Sequence, residues 1–283
     1  AAGTLRLLFI LRQRDVKFIS ASEPDYVLSP QECRHSTLYM EKRAVQGEPT
    51  VFSETFEYTS CGEWHNLRAE DVLPYDTTTA LYKEYTAERE KHIVFSPRLR
   101  ELAAKLTAGE TNPYLKAKRI FRWINDHFPW ASAREYSTIE NIPEYVLDNR
   151  HGDCGQVSLL FITLCRISGI PAHFQSGFMM HPRAWNLHDW AEVYFEGVGW
   201  VPVDQSFGIP AFARNADEEY FFLGGIDSWR MIVNTDYGMP LVPEKKYPRS
   251  ETVDFQRGEV EWEGGNLYFP QWSYHMDIDY LNY

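Results

Sequence analysis

The segment Gly152–Pro171, GDCGQVSLLFITLCRISGIP, decides the fold of this chain. Asp153 is a helix-capping residue type, and Gln156 three residues later completes a capping-box pattern. Apolar residues then recur at helical spacing until Gly169, which ends the pattern ahead of a proline. The segment therefore predicts a helix that begins at Cys154 and buries an apolar stripe in the core.

Cys154 occupies the first position of the predicted helix. Unpaired backbone N–H groups and the positive end of the helix dipole favour a thiolate there, so Cys154 is a candidate nucleophile. Gly152 and Gly155 carry no side chains and leave room for a substrate backbone beside the sulfur. The alternative is a small apolar residue at a helix start. Cys165 falls among core-spaced residues of the same helix and is interpreted as a buried packing residue.

A period-two pattern after the helix predicts two strands. A thiol nucleophile needs an imidazole to share its proton and an acceptor to orient that imidazole, and His188 and Asp204 are candidates for the two roles. A turn about Glu196-Gly197 would place them opposite each other on one face, whereas a turn centred on Val198 would displace them by about 13 Å. The alternative is that His188 is a hydrogen-bonding strand residue and Asp204 begins a turn.

The remaining histidines raise two further interpretations. His181 is the next candidate base, but its neighbours are typical of a loop, and His173 is interpreted as a strand surface residue. A zinc site is the other alternative, since histidines and two cysteines are available. Its spacing is unfavourable, because no CxxC or HxxxH occurs and Cys154 and Cys165 lie roughly 16 Å apart along one helix. No metal or cofactor is predicted.

The order of elements along the chain predicts an α+β fold. Residues 1–90 are predicted to be a small β-rich, sandwich-like domain, with strands in Leu5–Leu11, Val16–Ile19 and Phe52–Tyr58. Residues 91–283 are predicted to be a second domain, with helices after Ser96-Pro97 and Asn112-Pro113 and around Glu144–Leu147, then the Cys154 helix and a β-rich C-terminal extension.

Composition excludes some classes of partner. The chain has 283 residues, and its net charge of -12 repels phosphate backbones, so no nucleic-acid partner is expected. No apolar run reaches the roughly 18 residues of a membrane-spanning helix.

The chain begins with Ala1-Ala2-Gly3 and no initiator Met, which favours an exported protein with a targeting segment upstream. Cys33 and Cys61 would then be able to pair, although two free thiols are equally compatible with the sequence.

Four sequence blocks in order resemble the core motifs of transglutaminase-like proteins, over roughly residues 95–210. The blocks are Gly152-Asp153-Cys154-Gly155, Cys165-Arg166-Ile167-Ser168-Gly169-Ile170-Pro171, Trp185-Asn186-Leu187-His188-Asp189-Trp190-Ala191-Glu192-Val193 and Gly199-Trp200-Val201-Pro202-Val203-Asp204. This resemblance implies a papain-like core with Cys154 as nucleophile, His188 as base and Asp204 as the residue that orients it. It also implies that an upstream aromatic residue, here Trp130, assists the oxyanion hole, with core packing as the alternative for that side chain.

The resemblance implies hydrolysis of a peptide or protein amide through a thioester. If an amine replaces water as acceptor, the same site is a protein-glutamine transglutaminase. No convincing calcium-ligand set is present in the sequence. The third alternative is a noncatalytic module that keeps the fold and binds peptide or glycan, using C-terminal aromatic residues that are otherwise interpreted as packing: Trp262, Tyr268, Phe269, Trp272 and Tyr274.

Overall fold

A four-stranded antiparallel sheet forms the centre of the fold, in a computed structural model that describes residues 13–132, 134–268 and 270–281. Its strands are β6 (Ala172–Met179), β7 (Asn186–Phe195), β8 (Gly199–Val203) and β10 (Arg230–Thr235), in the spatial order β10-β6-β7-β8. Most residues of β6, β7 and β8 are buried. This burial follows from the helices packed against the sheet.

The Cys154 helix, α5 (Cys154–Ile167), packs directly on β6 and β7. Three other helices surround it: α2 (Pro97–Leu106), α3 (Pro113–His127) and α4 (Ile142–Asn149). Every residue from 155 to 166 is buried, so α5 lies inside the molecule between the sheet and these helices. Each of the four begins at a side-chain cap, which confirms the helix starts predicted at Pro97, Pro113 and Cys154.

Short strands dominate the N-terminal part that the structure describes. β1 (Gln13–Ala21) pairs with β4 (Glu54–Ser60), and β2 (Tyr26–Leu28) pairs with β3 (Leu38–Met40). β1 and β4 overlap the strands predicted at Val16–Ile19 and Phe52–Tyr58, and the strand predicted at Leu5–Leu11 lies outside the described residues. A six-residue helix, α1 (Ala80–Tyr85), follows.

Strand pairing and side-chain contacts join the N-terminal part to residues beyond 220. β5 (Glu63–Trp64) pairs with β9 (Gly225–Ile226), and His35 forms an isolated bridge with Asn234. The division of the chain into domains at residue 90 stays a prediction.

The rest of the chain has few regular elements. One-turn helix α6 (Ala216–Glu219) follows the central hairpin, and β11 (Val260–Trp262) pairs with β12 (Gly265–Leu267). Two 3-10 turns, Ala69–Asp71 and Tyr136–Thr138, lie earlier in the chain.

The combination of helices with antiparallel sheet confirms the α+β class. Over the described ranges, no helix has the length and hydropathy needed to span a bilayer.

Candidate active site

Cys154 lies at the start of α5, where the predicted capping box forms. The Asp153 carboxylate accepts from the Gln156 backbone N–H at 3.1 Å, and the Gln156 side-chain oxygen accepts from the Asp153 N–H at 3.4 Å. The Cys154 side chain is half-buried. Helix and sheet thus place the sulfur at the N-terminal end of a buried helix, beside strand β7.

His188 and Asp204 are in contact on the sheet. Nε2 of His188 lies 2.8 Å from Oδ2 of Asp204, and both side chains are buried. With Nε2 bound to Asp204, Nδ1 is the ring nitrogen available to a thiol. The sheet therefore brings together the two residues that the sequence proposed as base and orienting acceptor.

The register of the β7–β8 pairing differs from the predicted register. Ala191 pairs with Val203 and Phe195 with Gly199, so the β7–β8 turn is centred on Gly197 and Asp204 falls two positions out of line with His188. A shift of two positions moves a residue about 6.6 Å along a strand but keeps it on the same face. The two side chains still meet because they reach diagonally across that face.

Arg230 contacts the candidate site, although no pattern in the sequence indicated it. Its Nη1 lies 3.0 Å from Oδ2 of Asp204, while Nε and Nη2 donate to Oδ2 of Asp227 at 3.1 and 2.7 Å. Its side chain is 2% exposed, so this is a buried ion-pair network. Arg230 comes from β10, within the part of the sequence that resembled nothing named, and its spacing carries no pattern that would have identified it.

The Asp204 carboxylate is held in its ionised form. Burial alone would raise its pKa, but the neighbouring His188 and Arg230 and a hydrogen bond from the Phe207 backbone N–H bring the pKa below its ordinary value. The Phe207 ring packs edge-on against the His188 ring, with centroids 5.4 Å apart. It is about one-third exposed, so it forms a solvent-facing wall beside the imidazole.

The Cys154 thiol makes its hydrogen bond to a carboxylate. Sγ donates to Oδ2 of Asp189 at 3.4 Å, and within the described ranges no hydrogen bond joins it to His188. Burial, then the charges of Asp189 and Asp153, raise the pKa of this thiol well above its ordinary value. Burial and the nearby carboxylates thus oppose the effect of the helix start, and the expectation that this position favours a thiolate stays a prediction.

Asp189 belongs to a cluster that also includes Tyr136 and Gln256. The Tyr136 hydroxyl donates to Oδ1 of Asp153 at 2.5 Å and lies 3.4 Å from Oδ2 of Asp189. Nε2 of Gln256 donates to Oδ1 of Asp189 at 2.7 Å and to the His188 carbonyl at 3.2 Å. The C-terminal extension thus reaches the residues beside Cys154, which the sequence did not predict.

Gly155 is required by these side chains. A Cβ at this position would lie 2.5 Å from the Tyr136 hydroxyl oxygen and 2.6 Å from Oδ2 of Asp189. The predicted space beside Cys154 is therefore occupied on this side by the protein's own groups. At Gly152 a Cβ would find its nearest atoms at 3.2 Å, in Gln156 and Val157.

The backbone of Trp130 contacts the segment that leads into α5. It forms a parallel bridge with Gly152, and its side chain is 60% exposed. The alternative of core packing for this side chain is therefore wrong. Its assignment to an oxyanion hole stays a prediction.

The other candidate residues have structural partners. His173 is buried, not on the surface as predicted, and its Nε2 lies 3.1 Å from a Glu192 carboxylate oxygen. His181 Nε2 lies 3.3 Å from Oδ1 of Asp227. Cys165 is fully buried, which confirms its interpretation as a packing residue. No disulfide joins any two of the four cysteines, which all lie in the described ranges, so the possible Cys33–Cys61 pairing does not form.

No group of three or more His, Cys, Asp or Glu side chains among the described residues is arranged to hold a metal ion. Three of the C-terminal aromatic residues are exposed: Trp262, Tyr268 and Tyr274. They are therefore not buried packing residues. Phe269 lies outside the described residues.

Comparison with known proteins gives consistent family matches. Residues 100–205, which include Cys154, His188 and Asp204, match the family model of the transglutaminase-like superfamily core. A Bacillus subtilis protein, "Uncharacterized protein YebA", is 26% identical over 140 residues, covering 42% of this chain and 19% of that protein. A Pseudomonas aeruginosa protein-glutamine gamma-glutamyltransferase is 23% identical over 125 residues, covering 40% of this chain and 19% of that protein. The matches thus span about a fifth of each curated relative.

A solved structure shares the fold. It is a Cytophaga hutchinsonii protein named "Putative Cysteine Protease", with a TM-score of 0.53 and 19% identity, and the match covers 79% of this chain and 71% of that one. The likeness extends beyond the segment that matches the family model. The resemblance seen in the sequence is confirmed: residues 100–205 match the core-domain model of the transglutaminase-like superfamily.

Proposed function

We propose that this chain is a thiol-dependent amide hydrolase that acts on a peptide or protein through a Cys154, His188 and Asp204 triad. The observation that carries the proposal is the 2.8 Å contact between His188 Nε2 and Asp204 Oδ2, on a strand packed against the helix that begins at Cys154. That contact fixes the tautomer that presents Nδ1 to a thiol. The neighbouring Arg230 keeps Asp204 ionised, so Asp204 also stabilises an imidazolium.

The proposed reaction has two steps. The Cys154 thiol passes its proton to His188 Nδ1, and Sγ attacks the amide carbonyl carbon. The C–N bond then breaks, the amine leaves with the proton returned by His188, and a thioester remains. In the second step, water loses a proton to His188 and attacks the thioester, which releases a carboxylic acid and restores the thiol. The Cys154 backbone N–H and Trp130 are proposed to stabilise the oxyanion.

An amine acceptor is the alternative second step. The Pseudomonas aeruginosa relative is named as a protein-glutamine gamma-glutamyltransferase, and attack of an amine on the same thioester would form a new amide. The first step is identical in both reactions. A glutamine-containing peptide offered with and without a primary amine separates them by product mass, because water replaces the leaving amine in hydrolysis and the added amine replaces it in transamidation.

A noncatalytic binding module is the second candidate function. The exposed side chains of Trp262, Tyr268 and Tyr274 favour it, since exposed aromatic rings bind peptides and glycans. This candidate requires no reactive thiol at Cys154. Thiol reactivity therefore distinguishes the two functions.

The first test is brief exposure to a limiting thiol alkylator at several pH values from mildly acidic to neutral, followed by intact-mass measurement. We expect one fast adduct in the wild type, no such adduct in Cys154→Ala, and slower labelling in His188→Ala. Cys33 and Cys61, both partly exposed and outside any disulfide, are internal references for ordinary reactivity. Labelling of Cys154 at their rate, and unaffected by His188→Ala, would contradict the proposal and favour the binding module.

Export from the cytoplasm stays part of the proposal. Fractionation of cells that express the full-length protein tests it.

A further inference from the structure

Asp189 is the polar side chain bonded to the nucleophile. It lies in β7 directly after His188, so the two side chains point to opposite faces of the strand. Oδ2 accepts from the Cys154 thiol at 3.4 Å, and Oδ1 accepts from Gln256 at 2.7 Å. The residue is 2% exposed. The Asp189 carboxyl group is therefore held next to the Cys154 sulfur by one hydrogen bond to each of its two oxygens.

Other ionisable groups surround this carboxyl on every side. Asp153 and Cys154 face it from α5, Tyr136 from the 3-10 turn, and Asp254 from the C-terminal segment. A cation, Arg257, lowers the pKa of Asp254, but burial still raises that pKa to about 7. Burial and the charges of Asp254 and Asp153 likewise raise the pKa of Asp189 well above its ordinary value. Both effects favour the protonated form of Asp189 more than an ordinary exposed carboxyl group would.

A negative charge on Asp189 disfavours a second negative charge on the adjacent sulfur. A neutral Asp189 removes that repulsion, and its O–H can donate to a thiolate. The carboxyl group therefore determines which form of the nucleophile is stable. Its Gln256 hydrogen bond favours the ionised carboxylate, and hence the thiol.

We propose that Asp189 controls the reactivity of Cys154, holding it as a thiol when ionised and permitting the thiolate–imidazolium pair with His188 when protonated. The inference rests on the proposed function in that Cys154 and His188 form the reactive pair. Proton balance follows directly. The resting state has a protonated thiol, an imidazole protonated only at Nε2, and an ionised Asp189. To reach the reactive state, the thiol proton moves to His188 Nδ1, and Asp189 takes up one proton from solvent.

The test measures the rate of Cys154 alkylation by iodoacetamide from about pH 5 to about pH 8 in the wild type and Asp189→Asn. The variant keeps the shape of the side chain and removes its charge. We expect similar rates at the acidic end and about tenfold faster labelling of the variant at the alkaline end, as for a thiol pKa lowered by one unit. The ratio of the two rates should therefore rise with pH.

Two further variants make the test specific. Gln256→Leu removes the donor to Asp189 Oδ1, so its labelling at the alkaline end should fall between the wild type and Asp189→Asn. Glu192→Gln neutralises an equally buried carboxylate on the same strand, three residues away and on the other face, and should label as the wild type does. The Gln256→Leu result also tests the proposal if Asp189→Asn fails to fold.

A rate ratio near one at every pH for both Asp189→Asn and Gln256→Leu, with labelling that still depends on His188, would overturn this inference and leave the proposed function intact. Labelling of Cys154 that ignores both His188 and Asp189 would overturn the proposed function itself. The two failures are thus distinguishable in one set of measurements.

Discussion

At Asp204, a buried carboxylate lies between an imidazole and a guanidinium. Arg230 neutralises it while Asp227 holds the other side of the guanidinium. A buried carboxylate without a cation is costly, so Arg230 serves both stability and the orientation of His188. It acts on the proposed reaction through Asp204 and is a positioning residue.

Replacement of Arg230 by Met should destabilise the protein and slow the labelling of Cys154. It leaves the Asp204 charge buried with one fewer partner, which costs on the order of 3–5 kcal/mol. Arg230→Lys keeps the positive charge but lacks the planar guanidinium group. It should recover part of the stability and part of the Cys154 labelling rate. Urea unfolding and alkylation rates measure the two effects. Unchanged stability in Arg230→Met would contradict the ion-pair assignment.

The residues that sequence predicts well are those with a local pattern around them. Cys154, His188 and Asp204 stand within short motifs, whereas Arg230 and Gln256 reach the site from a distant segment without such motifs. Asp189 was visible in the sequence beside His188. Its contact with the sulfur depends on how α5 packs on β7, and no pattern along the chain encodes that packing.

At the scale of elements, the start of α5 depends on a close approach. Helix propensity alone would favour Ala over Gly at position 155 by about 1 kcal/mol. The Cβ would, however, overlap the Tyr136 hydroxyl and the Asp189 carboxylate. Two polar groups that are themselves hydrogen-bonded cannot move freely, so the steric conflict dominates.

Gly155→Ala should therefore lower the free energy of unfolding by about 1–3 kcal/mol, the usual cost of overpacking. Gly152→Ala is the matched control, because its Cβ meets its nearest neighbours at 3.2 Å and should have a smaller effect. Urea denaturation of both variants measures the difference. An equal effect at the two positions would show that the contacts of Gly155 are not the cause.

The starts of the helices were predictable because the capping residues that set them are close in sequence to the backbone groups they bind. The caps at Ser96, Asn112 and Asp153 each lie within a few residues of the backbone groups they bind. The β7–β8 register was less predictable, because period-two patterns place residues on a face without fixing their partners. The turn centred on Gly197 changed the predicted pairing and kept the predicted faces.

For the molecule as a whole, buried carboxyl groups make stability depend on pH. Burial, with the charge of Asp254, raises the pKa of Glu251 to about 9, and burial raises the pKa of Asp254 to about 7. In unfolded chains these pKa values are about 4. The folded protein thus binds more protons between these limits, and stability falls as pH rises.

We expect the melting temperature to fall by several degrees between about pH 7 and about pH 9. Buried His35 and His92 have pKa values lowered to about 4 by burial, and their opposite contribution is complete above about pH 6.5. Glu251→Gln mimics the protonated group and should reduce the fall. Thermal unfolding at the two pH values measures it, and an identical fall in the variant would contradict the assignment to Glu251.

The edge strand β10 has a consequence for the order of events during synthesis. It follows β6, β7 and β8 in sequence yet supplies Arg230 to the Asp204 carboxylate they enclose. On the ribosome, the nucleophile and its imidazole emerge before this guanidinium. A nascent chain therefore holds Asp204 without this cation until residue 230 is free to dock, and the proposed site is complete only after that late event.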